Sequence, residues 1–202
     1  MKNRANKIDQ LLELTRHSGI VSTAEVRSQG IHHEYIRQLC GEGKLVRVGR
    51  GLYMLPDAEV TAHYGLAQAS KAVPKGVICL LSALRFHEIG TEAPREVWIA
   101  IDRRAARPRV KHPKMRIVRY SGKALSEGIG EYIIEGVSVK IYNPAKTVAD
   151  CFKYRNKIGL DVALDALRDV IRKRKCTTDK LWHYAKICRI TKTIRPYLEA
   201  LV

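Results

Sequence analysis

Residues 22–55, STAEVRSQGIHHEYIRQLCGEGKLVRVGRGLYML, constrain the fold more than any other part of the chain. Ser22 or Thr23 is a good helix N-cap, and Glu25 is placed to close a capping box on Ser22. The helix that follows carries Ala24 and Val26 and stops at Gly30, a residue that tolerates the left-handed backbone of a helix end. A second helix is predicted from His32 to about Glu42, with Ile36, Leu39 and Cys40 on one face at spacings of three and four. His32, His33, Tyr35, Arg37 and Gln38 lie around the rest of it. A glycine turn between two short helices, the second with a polar face, is a helix-turn-helix pattern. In that motif the N-terminal residues of the second helix reach base edges in the major groove.

The next residues extend the motif. Lys44 to Val48 alternates basic and apolar residues, Gly49-Arg50-Gly51 turns the chain, and Leu52 to Leu55 returns. A hairpin with Gly-Arg-Gly at its tip offers a cation to phosphate with little steric hindrance. Helix, turn, helix and ribbon predict a winged helix. Winged helices also dock proteins, and charged helix positions are often only a solvated face. Arg37, Arg47 and Arg50 fall on the parts that face DNA in such modules, which favours DNA. The residues expected to touch it are His32, His33, Tyr35, Arg37, Gln38, Lys44, Arg47 and Arg50. Asn6 to about His17, with Ile8, Leu11, Leu12 and Thr15 inward, is the expected first helix of the domain. Lys2, Arg4 and Lys7 at its start could touch phosphates, although a frayed terminus is the commoner outcome.

With 202 residues the chain has room for a second core. The expected division is a winged helix-turn-helix domain over 1–57 and a basic α+β domain over 58–202. Past Pro56, helices are predicted over Val60 to Ala72 and Val77 to Ile89, the latter beginning near Cys79, with its first residues open to strand. Glu96–Ile101 and Met115–Tyr120 read as strands. Tyr132–Ile141 reads as a hairpin turning at Glu135-Gly136. Asn143-Pro144 is a cap followed by proline at the first helical position, opening a helical C-terminal block. The expected fold class is α+β: a winged helix-turn-helix, then a small, mostly antiparallel sheet and C-terminal helices.

The net charge of +17 asks for a polyanionic partner. No apolar run is long enough for a membrane span, and MKNRANKIDQ lacks the apolar core of a signal peptide. The expectation is therefore nucleic acid, in the cytoplasm, with no membrane. The charge is uneven: residues 1–57 carry +3 and the remainder +14. Much of the excess lies in IDRRAARPRVKHPKMRIVRY, where eight Lys and Arg follow Asp102 without an acid. Arg103, Arg104, Arg107, Arg109 and Lys111 fall in an exposed loop, because Pro108 and Pro113 forbid a helix or a paired central strand. They are expected to touch nucleic-acid backbone. A second run, Arg172 to Lys175, ends a helix, where cations are favoured anyway.

Neither catalytic residues nor a cofactor are expected. Ser82 and His87 fall on different helix faces, and Lys146 and Asp150 are spaced for an ordinary helix ion pair. Asp161 and Asp165 share a face without a third ligand, so no metal is expected. Gly49-x-Gly51 is too short for a nucleotide loop. The five cysteines are scattered, with no C-x-x-C pair, and read as reduced thiols. Two other readings stay open: an enzyme on nucleic acid with the winged helix as anchor, using acids such as Asp102 and Asp150, and a non-specific architectural DNA binder.

Four stretches carry a family resemblance. Gly43 to Pro56 is similar to a wing of the form G-x-L-x-R-x-x-R-G-x-Y-x-x-P, and Leu81 to Gly90 to the helix after it. Pro94 to Ile101 is similar to a first core strand, and Tyr142 to Asp150 to a Y-x-P-x-K/R-T-x-x-D entry to the last helices. The chain resembles the AbiEi-type antitoxins of bacterial type IV toxin–antitoxin systems, a family of transcriptional regulators. The resemblance implies a winged helix that binds inverted repeats upstream of its own operon and represses it. It also implies a C-terminal domain that counters a nucleotidyltransferase-like toxin without a stable complex. A C-terminal charge of +14 suits either steadying on DNA or contact with RNA.

Overall fold

The computed structural model describes residues 2–58 and 61–201, with side chains from residue 6 onward. The side chains of Lys2 and Arg4, and Val60 as a helix start, lie outside the described residues. The chain packs as two units, Met1–Pro74 with Pro108–Lys114 and Tyr132–Val139, and Lys75–Arg107 with Met115–Glu131 and Lys140–Val202.

The first unit opens with α1 (Lys2–Ser18), β1 (Val21–Ser22), α2 (Thr23–Ser28), α3 (His33–Gly41), β2 (Val46–Gly49) and β3 (Leu52–Met54). The strands form an antiparallel sheet in the order β1-β3-β2. The capping box is present in full: Glu25 N donates to Ser22 Oγ and Ser22 N donates to the Glu25 carboxylate. Leu11, Val21, Val26, Ile31, Ile36, Leu39 and Leu45 form the core, brought together by the helical spacing of three and four on α1 and α3. Thr15 is buried too, its hydroxyl donating to the Leu11 carbonyl one turn back.

After the wing comes α4 (Tyr64–Ala72). It buttresses the helix-turn-helix from behind: Gln68 donates to the Val48 carbonyl, and Lys71 pairs with Glu25. The hairpin turn Glu135-Gly136 lies against the end of α1. A Cβ on Gly19 would sit 1.8 Å from the Glu135 carbonyl oxygen, so no larger residue fits there without moving the backbone.

The second unit holds β4 (Val77–Ile78), α5 (Leu80–Phe86), β5 (Val97–Asp102), β6 (Met115–Tyr120), α6 (Lys123–Ser126) and the outer halves of β7 (Ile129–Ile134) and β8 (Val137–Tyr142), whose turn-side halves, Tyr132–Val139, count with the first unit. The sheet order is β6-β5-β4-β8-β7. β4 is antiparallel to β5, whereas β4–β8 and β5–β6 are parallel. A parallel pair needs a crossover of about a dozen residues or more. Residues 103–114 are that crossover, and they are the basic loop.

The helices α7 (Pro144–Lys153), α8 (Arg155–Ile158), α9 (Leu160–Arg172), α10 (Thr178–Cys188) and α11 (Thr191–Glu199) complete the unit. Asn143 caps α7 by accepting from Lys146 N, with Pro144 in the first turn. Every residue of α7 from Ala145 to Phe152 is buried. The Lys146–Asp150 pair therefore departs from an ordinary surface pair: both side chains are 0% exposed, 2.5 Å apart. The Lys146 ammonium also lies 4.2 Å from the Tyr142 ring centroid and 4.8 Å from that of Tyr120. Cys188 donates to the second Asp150 oxygen at 3.2 Å.

Cys79, Cys151 and Cys188 are buried free thiols. Burial pushes Cys79 and Cys151 well above the ordinary thiol value and Cys188 up to about 12. Held as thiols, they are poor nucleophiles and poor metal ligands.

Candidate nucleic-acid interface

The interface is built on α3. Ile36 and Leu39 anchor one side of the helix in the core, so the positions between them turn outward. His32 is the N-cap, its Nδ1 accepting from Glu34 N, and its ring lies 4.3 Å from that of His33. Both imidazoles are exposed at the helix N-terminus. Arg37 is 83% exposed, with its guanidinium 3.8 Å from the Glu34 carboxylate. An exposed pair of this kind is weak, so the guanidinium can leave it for another acceptor at little cost. Gln38 is half-buried and donates to Glu42 at 2.7 Å, while Lys44 pairs with the same carboxylate at 2.9 Å. Glu42 thus ties the end of the helix to the start of the wing. Tyr35 is half-buried against the core, its ring serving packing as well as the surface.

The wing turns at Arg50-Gly51, with a register shift between Arg47 and Gly49. Gly51 has φ +69°, and a Cβ there would meet Thr23 Oγ1 at 3.2 Å. Its carbonyl accepts from Thr23 N at 2.9 Å, which fixes the wing tip to the start of α2. Arg47 and Arg50 are exposed, and Arg47 Nε donates to the Gly49 carbonyl at 3.1 Å.

The long crossover contributes what local sequence patterns do not reveal. Arg109, Lys111 and His112 line one cleft of about 450 Å³ together with Arg47 and Arg50. Four cations and an imidazole face it, with no carboxylate among its described lining. The wing and the second half of the basic loop thus share a surface. Arg103, Arg104 and Arg107 belong to the second unit. All three are exposed, and the loop's first turn is held by Arg119, whose guanidinium donates to the carbonyls of Arg103 and Ala105 at 2.8 Å.

No group of three or more His, Cys, Asp or Glu that could hold a metal occurs among the described residues, nor does a helix long and apolar enough to cross a membrane. Ser82 and His87 are apart: Ser82 Oγ accepts from Trp98 N at 2.9 Å, and His87 Nε2 lies 2.8 Å from the Tyr142 carbonyl oxygen.

Three helices, a three-stranded antiparallel sheet and an outward basic face define a winged helix-turn-helix module of the kind found in transcriptional regulators. Residues 9–56 match the family described as "Transcriptional regulator, AbiEi antitoxin". Over that stretch the family resemblance seen in the wing holds, and it supports a transcriptional regulator or antitoxin role. The other three resemblances lie past the matched residues. No curated relative matches the sequence. The crystal structure of the RV2827C protein from Mycobacterium tuberculosis has a similar fold, with a TM-score of 0.58 at 14% identity, covering 98% of this chain and 80% of that one.

Proposed function

We propose that this protein is a DNA-binding autorepressor that binds inverted repeats upstream of its own operon. It also acts as the antitoxin to a nucleotidyltransferase-like toxin, without a stable complex, in the cytoplasm. The DNA-binding domain is residues 1–57, with α3 in the major groove and the wing on the flanking phosphates. The observation that carries this reading is the pairing of an outward α3 face, bearing His33 and Arg37, with the cationic cleft of Arg47, Arg50, Arg109 and Lys111. Base edges reward the first and phosphates the second. A pair of inverted half-sites fits two monomers, one on each half-site, about 34–36 Å apart when separated by one helical turn.

DNase footprinting of the upstream DNA tests the repressor part. A protected region centred on an inverted repeat is expected, and uniform protection at all sites would contradict it. Co-expression with the toxin-like neighbour gene tests the antitoxin part. Rescue of growth by the full chain is expected, and unrelieved toxicity would refute it.

A further inference from the structure

A second cleft, of about 650 Å³, opens beside the edge strand β6 in the second unit. Its walls are Trp98 from β5, Arg116 and Arg119 from β6, Arg107 from the crossover, and Tyr154 and Lys157 at α8. The volume falls within the range of about 300–1,000 Å³ typical of small-ligand sites. Four cations face it, and none of its described lining residues is an acid. Arg107 and Lys157 meet no carboxylate among the described residues, while Arg116 has only the half-exposed Glu96, 3.7 Å away.

The aromatic groups narrow the ligand class. The Arg116 guanidinium lies 5.0 Å from the centroid of the Trp98 indole, which is itself only 6% exposed. The Lys157 ammonium lies 5.6 Å from the Tyr154 ring centroid. A guanidinium backed by an indole, and a half-exposed phenol ring lining the same cleft, offer flat faces alongside phosphate-binding charge. Inorganic phosphate or an acidic peptide would use the cations and leave those faces unused. A duplex keeps its base faces stacked on one another, so only an unpaired base can use them.

We infer that this cleft binds one or two nucleotides of a single-stranded nucleic acid, phosphates on Arg107, Arg119 and Lys157 and a base against Arg116 and Tyr154. None of its lining residues is among those assigned to operator DNA, and the assignment does not depend on the repressor reading. It gives the basic C-terminal part a ligand of its own, and the same chemistry admits a free nucleotide.

The test uses the full chain and fluorescein-labelled single-stranded RNA and DNA oligonucleotides, read by anisotropy. Wild-type protein should bind them in the presence of saturating upstream duplex. Arg116→Ala with Lys157→Ala should weaken that binding by about tenfold or more, the scale of one lost stacked base, with duplex affinity unchanged. Trp182→Phe leaves Trp98 as the sole tryptophan, and its emission should change as the oligonucleotide binds. Competition by a mononucleotide would identify the free nucleotide as the ligand's source, and competition only by strands would identify the polymer. Displacement by the duplex, equal competition by inorganic phosphate or polyglutamate, or unaltered binding by the double variant would overturn the assignment.

Discussion

Lys146 Nζ lies 2.5 Å from Asp150 Oδ2 inside α7, with both side chains fully buried. Burial pushes the Asp150 carboxyl above its ordinary value, opposed by the Lys146 charge and hydrogen bonds from Lys146 and Cys188. Breaking such a pair from one side leaves a buried charge without a partner. Lys146→Met should therefore cost about 3–5 kcal/mol, and Lys146→Met with Asp150→Leu should recover much of the loss. Urea unfolding followed by circular dichroism measures both. A single variant as stable as wild type would contradict this account of the pair.

Glu25 joins α2 to α4. Partial burial raises its carboxyl, but hydrogen bonds from Lys71 and from the Ser22 amide and hydroxyl, with the Lys71 charge, outweigh this and hold it below the ordinary value. The folded state thus binds the Glu25 proton less tightly than the unfolded chain. Its contribution is present above the ordinary carboxylate value and is lost as pH falls through the lowered one. Glu25→Gln should lower stability at neutral pH and make the acid limb of the stability–pH curve shallower. An acid limb of unchanged slope would count against it.

Gly51 holds φ +69° beside Thr23. A branched residue there takes on left-handed strain and crowds the Thr23 hydroxyl. Gly51→Val should cost about 1–2 kcal/mol from the backbone alone and weaken DNA binding by displacing the wing. Thermal unfolding and anisotropy on the same sample would show the two losses together. A stable variant with a normal wing would argue against the turn's role.

Arg50 and Arg109 line one cleft although they are far apart in sequence. If both meet phosphates, each alanine variant should weaken binding to operator and random duplex alike and reduce the slope of log K against log salt by about 0.9. A normal slope for Arg109→Ala would remove the crossover from the interface.

Legibility in the sequence followed the range of the interactions. The capping box at Ser22, the proline opening α7 and the Glu135-Gly136 turn are local, and all three stand where residue patterns place them. α1 begins at Lys2 rather than Asn6, and α4 at Tyr64, differences at element ends where propensity is weakest. The short helices α6 and α8 carry too few residues to show a period. Burial of Lys146 and Asp150 was illegible because it comes from α5, α9 and α10 closing around α7, while i, i+4 spacing looks alike on a surface helix. The meeting of Arg109 and Lys111 with the wing depends on where a long crossover passes, which no local pattern encodes.

Sequence-specific recognition through α3 is read from fluorescence anisotropy on the chain's own upstream duplex and on a shuffled duplex, over a salt series. A specificity ratio of about 10³ or more is expected. Arg37→Ala should cut it by about 1–3 kcal/mol, the value of one base contact, while leaving the affinity for the shuffled duplex nearly intact. Equal affinity for both duplexes, or an Arg37→Ala variant with undiminished discrimination, would contradict it.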